Sequence, residues 1–591
     1  MTDSVVDPGT TFDIDSPWVV DSTPNSRFPL YTRANVSEVA PNVTAPLFAT
    51  TVAGWHGESR WRTALINFGV FEESEFRAGD ADIMPVFFGY HYLNVSVQRV
   101  LGVRSPGVDA HAMDVAFFGE NPDVPRYEPR PGDDDPKYEA RVKASIDRVL
   151  ATRARPDLDN DRVAAAEIRR ARPDLKRLTD QELVAYFRDI TNGPFAHHHE
   201  KVYELVHESS IPVAALHAIL AAIPDAPPLV SLVSGLGDID SAEPTRALWE
   251  LSRAIRRSPA LTALFDESTD GLPARLAEST DPEIADLARR FEEFLYDYGS
   301  RGINEWDVCT TTWETHPDVP LAMLERMRLQ PDDQSPTGHR QRLAEERERA
   351  TASVRAALAA DPAALAAFDG ILQATLVYMV ARERNKTNAV RVLQEARVAI
   401  RELGLRMVDR GWFTAWDDIN MLRNDELDAL TTDPSAFADV VRARHSWSTA
   451  LQQLEPPYVV HGSVPPPSTW ARKRGDESAV QPTSPGTVLS GLPACPGVAT
   501  GPARVISDPG DARELQIGEV LIAPMTDPGW TPLFASAAAI VVDVGSQLSH
   551  AAIVSRELGI PCVVGLANAT KRIRDGASVT VDGNTGQVTI H

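Results

Sequence analysis

The chain has 591 residues, enough for two or three domains with ample core, and its 83 acidic and 58 basic side chains give a net charge of −25. That charge argues against nucleic acid and anionic membranes as partners. Three cysteines, Cys309, Cys495 and Cys562, are too few for a disulfide scaffold and too widely spread for a metal motif, so they read as buried thiols of a reducing, cytoplasmic compartment. The stretch Met1–Pro24 is acidic and polar, without the basic start and apolar centre of a signal peptide. No apolar run is read as reaching the ~20 residues of a membrane span.

Taken in chain order, residues 1 to about 135 are rich in glycine, proline and aromatics, as in Phe87-Phe88-Gly89-Tyr90-His91-Tyr92. They are predicted to be irregular and to pack onto a helical body. Their Trp18, Phe28, Tyr31, Trp55, Trp61, Phe68 and Phe71 suit either a pocket for an apolar hydroxylated ligand or an ordinary core. From about 138 to 454 the pattern is helical. Thr179 and Glu182 form a capping box ahead of Leu183–Ile190, and further helices are expected at Pro282–Tyr298, Gln341–Leu358, Ala363–Ala381, Asn388–Leu403 and Ser435–Leu454.

Three groups of residues in this body carry candidate chemistry. His197-His198-His199 does not read as a metal site, because consecutive helical residues point about 100° apart. His198 or His199 is a candidate base for an acceptor hydroxyl, against the alternative of a satisfied helix start. Arg301 and Glu305, at helical spacing, fit either a site or a buried structural ion pair. Arg382 and Lys386 share a helix face and could straddle the oxygens of a phosphoryl group, with Glu383 and Arg384 beside them as partners of a solvated basic face in the alternative.

Residues 455–488 contain Pro456-Pro457, Pro465-Pro466-Pro467, Pro482 and Pro485, which read as a flexible, Pro-rich linker. At ~3.1 Å per residue about 30 residues reach of the order of 90 Å. Residues 489–591 read as a β/α unit ending in a hairpin, Val579–Val581 with Val588–Ile590. Between the apolar runs Ala538–Asp543 and Cys562–Leu566, Ser549 is a natural N-cap, Gly559 a natural C-terminal stop, and Pro561 forbids continuation. His550 therefore falls in the first turn of a helix, where the dipole disfavours imidazolium and welcomes an anion. A neutral imidazole there can take up a phosphoryl group.

The motifs from about Ser490 to His591 resemble the swivelling phosphohistidine domain of the enzymes related to phosphoenolpyruvate synthase and pyruvate phosphate dikinase. Thr526-Asp527-Pro528-Gly529-Trp530-Thr531-Pro532-Leu533-Phe534 is most similar to the rifampin phosphotransferase branch. The resemblance implies that His550 is the phosphorylated residue, with Gln547, Ser549, Thr526 and Thr531 around it; Ser546 departs from relatives that carry a second glycine. Shorter segments, Tyr31–Pro41, Tyr298–Gly302, Trp313-Glu314 and Arg382–Lys386, resemble the acceptor-binding domain of the same branch. The resemblance in the last segment favours a catalytic role for Arg382 and Lys386.

The expected fold is thus multidomain α plus α/β: a mostly helical acceptor-binding domain, 1–454, a linker and a swivelling carrier, 489–591. No segment resembles the ATP-grasp domain of the relatives. The resemblance then implies a subunit of a split dikinase-type enzyme, similar to phenylphosphate synthase. A separate ATP-grasp partner would hold ATP and Mg2+ and phosphorylate His550, releasing AMP and phosphate, and the carrier would deliver the group to a phenol or alkylphenol. This chain itself would hold no metal or tightly bound cofactor. The alternatives are a rifampin-type antibiotic phosphotransferase subunit and a non-catalytic phosphocarrier or regulatory scaffold.

Overall fold

The computed structural model describes residues 13–34, 36, 40–118, 124–269, 271–332, 335–473, 483–506, 515–526, 530–534, 536–545 and 549–591. A helical body precedes a carrier domain built on a mixed sheet. The spine of the body is one helix of 48 residues, Pro362–Asp409. Asp361 starts it by accepting from the amides of Ala363 (3.0 Å) and Ala364 (3.1 Å), and Pro362 occupies the first turn, where an N–H is not needed.

The sequence pattern predicts two helical runs here, Ala363–Ala381 and Asn388–Leu403, with Arg382 and Lys386 sharing a helix face between them. The helix runs through, since its polar residues find partners on neighbouring helices. Arg384 pairs with Asp159 at 2.7 Å and Asp238 at 2.5 Å. The Asn385 and Asn388 amides donate to the carbonyls of His198 (3.0 Å) and Leu158 (3.2 Å). Helices Pro156–Arg170, Asp180–Asn192 and Pro194–Ala221 pack along it. The second of these starts with the expected capping box: Thr179 Oγ1 accepts from the Glu182 amide and Glu182 accepts from the Thr179 amide. Near the end of the spine, a Cβ on Gly404 would lie 2.1 Å from the Trp416 carbonyl oxygen, so only glycine admits the 416–421 turn.

One window of the spine is apolar enough to cross a membrane by length and composition, with a mean hydropathy of 1.6, a feature the sequence reading passed over. A third of that window is buried (33 %), and the helix goes on to bury Asn385, Asn388, Gln394, Glu395 and Arg397 among its neighbouring helices.

The first 135 residues are more regular than their composition implies. Helices Gly54–Phe68 and Val95–Arg104 lie in them, and strand β1 (Leu30–Thr32) pairs antiparallel with β2 (Leu93–Asn94). Trp18, Phe28, Tyr31 and Phe71 are at most 2 % exposed, so they form core and not a pocket wall. The linker boundary also moves. Val459–His461 forms β3 on the other edge of β1, Tyr92 donates to the Pro457 carbonyl at 3.0 Å, and Trp470 is buried. Proline removes amide donors, which suits an edge strand as well as an extended tether. The front of the Pro-rich stretch thus belongs to the helical body; residues 474–482 lie outside the described residues.

The carrier holds an eight-stranded sheet. In chain order its strands are β4 (Val488–Ser490), β5 (Leu492–Cys495), β6 (Val498–Val505), β7 (Val520–Ala523), β8 (Ala539–Val542), β9 (Cys562–Val564), β10 (Ser578–Asp582) and β11 (Gln587–Ile590). They lie side by side as β4-β11-β10-β6-β7-β8-β9-β5. β6 to β9 run parallel and the outer pairs antiparallel. β7, β8 and β9 are apolar at every position and wholly buried, as a parallel sheet covered on both faces requires. Each buried Val, Leu or Ile there contributes about 1.5–3 kcal/mol. Two cysteines far apart in sequence meet here: Cys495 and Cys562 are cross-strand neighbours, and their thiols donate to the Ser555 and Ala551 carbonyls of the covering helix at 3.3 and 4.0 Å.

Candidate functional site

That covering helix is His550–Leu558, the crossover between parallel strands β8 and β9. Open parallel sheets place ligands at the carboxyl ends of their strands, and His550 stands there, following β8. Ser549 occupies the N-cap position with extended backbone, as expected, but its side chain makes no capping bond and its Oγ is buried without a partner. The first-turn amides are therefore not occupied by the cap side chain.

His550 is half-buried. Thr526 Oγ1, just after β7, lies 3.4 Å from its Nδ1, and the Phe534 ring sits 5.8 Å from the imidazole centroid. Burial, then the charges of Lys386 and Arg301, hold its pKa well below 6.5. The ring is thus neutral near pH 7, the state expected from the sequence, held there by burial and two cations. Thr531 lies on the short helix Thr531–Phe534, but its side chain, together with Gln547 and Ser546, falls outside the described residues.

Lys386 and Arg301 belong to the helical body, so the carrier is docked with its histidine facing that body. The dock is made by the carrier helix against Pro336–Leu358. Gly559 ends the carrier helix at φ +69°, and a Cβ there would approach the His339 Cβ to 2.9 Å. Glycine is required twice, by the left-handed turn and by the contact.

Behind the two cations lies a buried carboxylate. Glu305 is 3.3 Å from Arg301 and 3.8 Å from Lys386, and only Lys386 of the three keeps appreciable exposure, 23 % of its side chain against 4 % and 1 %. Arg301 also donates to Thr387 Oγ1 at 2.8 Å and to the Asp240 carbonyl at 3.4 Å. Arg301 and Glu305 are therefore both an ion pair and part of the site. Though four residues apart, they sit on an irregular loop and not on a helix, with Asn304 between them at φ +51°. The loop is pinned by Arg397, which donates to the Asp307 carbonyl at 2.9 Å and to the Glu305 carbonyl. Burial lowers the Arg397 pKa to about 10.

The sequence reading pairs Lys386 with Arg382. The fold instead brings Arg301 to Lys386, from a loop some eighty positions earlier in the chain. Arg382 is half-buried and Glu383 buried on the spine, and neither forms an ion pair among the described residues. His199 is a core residue: Arg60 Nη1 lies 2.8 Å from its Nδ1, and Phe195 and Tyr203 flank the ring. Burial drives its pKa well below 6.5. His198 is buried too, and burial lowers it to about 4. Asp240, Thr387 and Arg397 had no signal in the sequence, because their roles come from long-range approach to Arg301 and Glu305.

Residues 204–383 match the family model of the rifampicin phosphotransferase fourth domain, and residues 515–586 that of the PEP-utilising enzyme mobile domain. The first match takes in Arg301 and Glu305, the second His550. Prodigiosin synthesizing transferase PigC of Serratia marcescens is 33 % identical over 371 residues, 60 % of this chain and 39 % of its own length. Rifampicin phosphotransferase of Streptomyces sviceus is 29 % identical over 371 residues, 61 % of this chain and 40 % of its own. Uncharacterized phosphotransferase YvkC of Bacillus subtilis is 29 % identical over 358 residues, 59 % of this chain and 42 % of its own. The chain therefore spans about two fifths of the length of these curated relatives. It joins a domain of the rifampicin phosphotransferase type to a PEP-utilising enzyme mobile domain that carries His550 at its helix start.

Proposed function

We propose that this chain is the acceptor-and-carrier part of a dikinase-type phosphotransferase, with His550 as the phosphohistidine. The observation that carries the reading is the neutral imidazole of a PEP-utilising mobile domain facing Arg301, within the residues that match the rifampicin phosphotransferase fourth domain, and Lys386, three positions past the end of that match. Phosphoryl transfer depends on positioning and charge neutralisation, and two cations supply the second at the dock. In the transfer step the N–P bond of phosphorylated His550 breaks while an O–P bond forms on the acceptor. The ring nitrogen keeps the N–P electron pair and takes up one proton, equivalent to the one the acceptor hydroxyl gives up, so the imidazole returns neutral.

The matched region covers about two fifths of the relatives' length, so the donor chemistry is assigned to a unit outside it. We assign it to an ATP-grasp-type subunit holding ATP and Mg2+, which yields AMP and phosphate as the other products in a cytoplasmic complex. Among acceptors, the name rifampicin phosphotransferase and the matching fourth-domain model favour a large hydroxylated antibiotic-like molecule over a phenol or alkylphenol. A regulatory scaffold fits less well, since it needs no cations opposite the histidine.

The test is incubation of the purified chain with an ATP-grasp partner, ATP, Mg2+ and separate acceptors: a rifamycin, a phenol and an alkylphenol. A phosphate ester on the rifamycin, lost in His550→Ala, is the expected result. Ester on the phenols alone would move the acceptor assignment, and phosphorylation of His550 with no ester on any acceptor would favour the scaffold.

A further inference from the structure

Two of the three consecutive histidines belong to a cluster that the proposed transfer does not use. Consecutive helical side chains diverge by about 100°, which argues against a site built from His197–His199 alone. The fold adds a ligand from a second helix. Asp161, on Pro156–Arg170, lies beside His197 and His198, on Pro194–Ala221. A ligand atom from each of the three falls within 4.8 Å of the others. We propose that Asp161, His197 and His198 bind a divalent transition-metal ion of the zinc type.

The donor set, two imidazoles and one carboxylate, is that of a three-ligand zinc site with a position left open. Metal–ligand bonds of ~2.0–2.2 Å at tetrahedral angles separate ligand atoms by about 3.4 Å, so an ion would draw together atoms that now lie within 4.8 Å of one another. His197 Nε2 and Asp161 Oδ1 are already 3.0 Å apart, so an ion replaces this contact after a small separation.

An independent observation also points to a ligand. His198 is 2 % exposed; its ring lies beside the Asn385 side chain, yet its buried Nδ1 meets no partner at full hydrogen-bond geometry among the described residues. Buried polar atoms are normally satisfied, so an unpartnered imidazole nitrogen marks a place where something binds.

The surroundings fix the ligands. Asn385 on the spine donates to the His198 carbonyl at 3.0 Å. Lys201 holds the other oxygen of Asp161 at 2.6 Å and that of Asp157 at 3.2 Å, which orients Asp161 Oδ1 toward His197. Its positive charge also makes this a weaker site than one built of thiolates. The His197 side chain is 54 % exposed, leaving a solvent side for the fourth ligand. The ion would tie helix 156–170 to helix 194–221 beside the spine, and its binding does not depend on the transfer reaction.

The test uses the full chain without an affinity tag, dialysed against a chelator and titrated with zinc chloride by calorimetry. Cobalt(II) absorption would report the coordination geometry. The expected result is one ion per chain, with affinity at least tenfold weaker in both Asp161→Asn and His198→Gln and unchanged when exposed His111 is replaced by Gln. Zinc should raise the Tm of the parent and not of the two variants. Asp161→Asn preserves side-chain shape, so it keeps the test valid if His198→Gln misfolds. Absence of saturable binding, or parental affinity retained in the two ligand variants, would overturn the proposal.

Discussion

The two parts of the molecule solve the problem of placing a reactive group in opposite ways. In the carrier the interior is apolar: β7, β8 and β9 bury only Val, Leu, Ile, Ala and Cys, and the reactive His550 is mounted on the rim. In the helical body the interior is itself polar. Glu305, Glu395, Arg397, Asn385 and Thr387 are all under 5 % exposed, and the cations that face His550 grow out of that network. A carrier that moves needs a core indifferent to its partner. An acceptor body that must hold charges at fixed spacing needs each of them braced by another.

The sharpest way to break this contrast is to remove a brace. Arg172 pairs with Glu395 at 2.5 Å and with Glu314 at 2.6 Å, and Arg169 reaches Glu314 at 3.0 Å. Arg172→Met would leave Glu395, fully buried, short of its main partner, and should cost about 3–5 kcal/mol in denaturant unfolding. A loss well under 1 kcal/mol would show that the network is not what holds the body.

Lys386→Met comes next, because Lys386 is the more exposed cation and its loss does not strand Glu305, which keeps Arg301. Transfer to the acceptor should fall by on the order of 10²-fold while phosphoryl uptake changes little, so the phosphorylated carrier accumulates. Equal loss of both steps in single-turnover kinetics would place Lys386 outside the acceptor chemistry. Arg301→Met is the poorer probe, since it confounds catalysis with an unpaired buried carboxylate.

The same contrast explains what was legible in the sequence. His550 could be read because its setting is local: an N-cap, a first turn, a glycine stop and a proline lie within a dozen residues. The capping box at Thr179 and the helix Pro282–Tyr298 were legible for the same reason. Arg301 with Lys386 was not, because no periodicity links a loop to a helix eighty positions later. The two runs expected at Ala363–Ala381 and Asn388–Leu403 are one continuous helix for a related reason. Charged residues look like an interruption until Asp159 and Asp238 arrive from other elements. The Pro-rich stretch misled by composition, since absent amide donors describe the edge strand Val459–His461 as well as a tether.

Smaller effects sharpen the picture at the dock. Gly559→Ala forces a Cβ into a left-handed turn and against His339, and should cost about 1–2 kcal/mol. The signature is slower transfer with normal uptake; unchanged transfer would mean that the contact does not set the docked geometry.

The pH dependence tests the buried histidines of the helical body. His91 and His207 of the helical body are neutral when folded, with pKa values lowered by burial to about 3 and about 4, and His207 Nε2 accepts from the Trp61 indole at 2.8 Å. The unfolded chain protonates first, near 6.5, so stability present above 6.5 is lost as pH falls toward these folded values. Between pH 6.5 and 5.5 each should cost about 1 kcal/mol, and His207→Gln should flatten the slope by one proton. An unchanged slope in that variant would contradict the assignment.

The central claim is that His550 carries the phosphoryl group as a neutral nucleophile. The direct measurement is the pH dependence of acid-labile, alkali-stable phosphate incorporation from labelled ATP through the ATP-grasp partner, in the parent and in His550→Ala. The account predicts one phosphate per chain, mapped to His550 and absent from the variant, with no loss of rate near pH 6.5 attributable to protonation of that ring. Incorporation that persists in His550→Ala and still reaches the acceptor would contradict it.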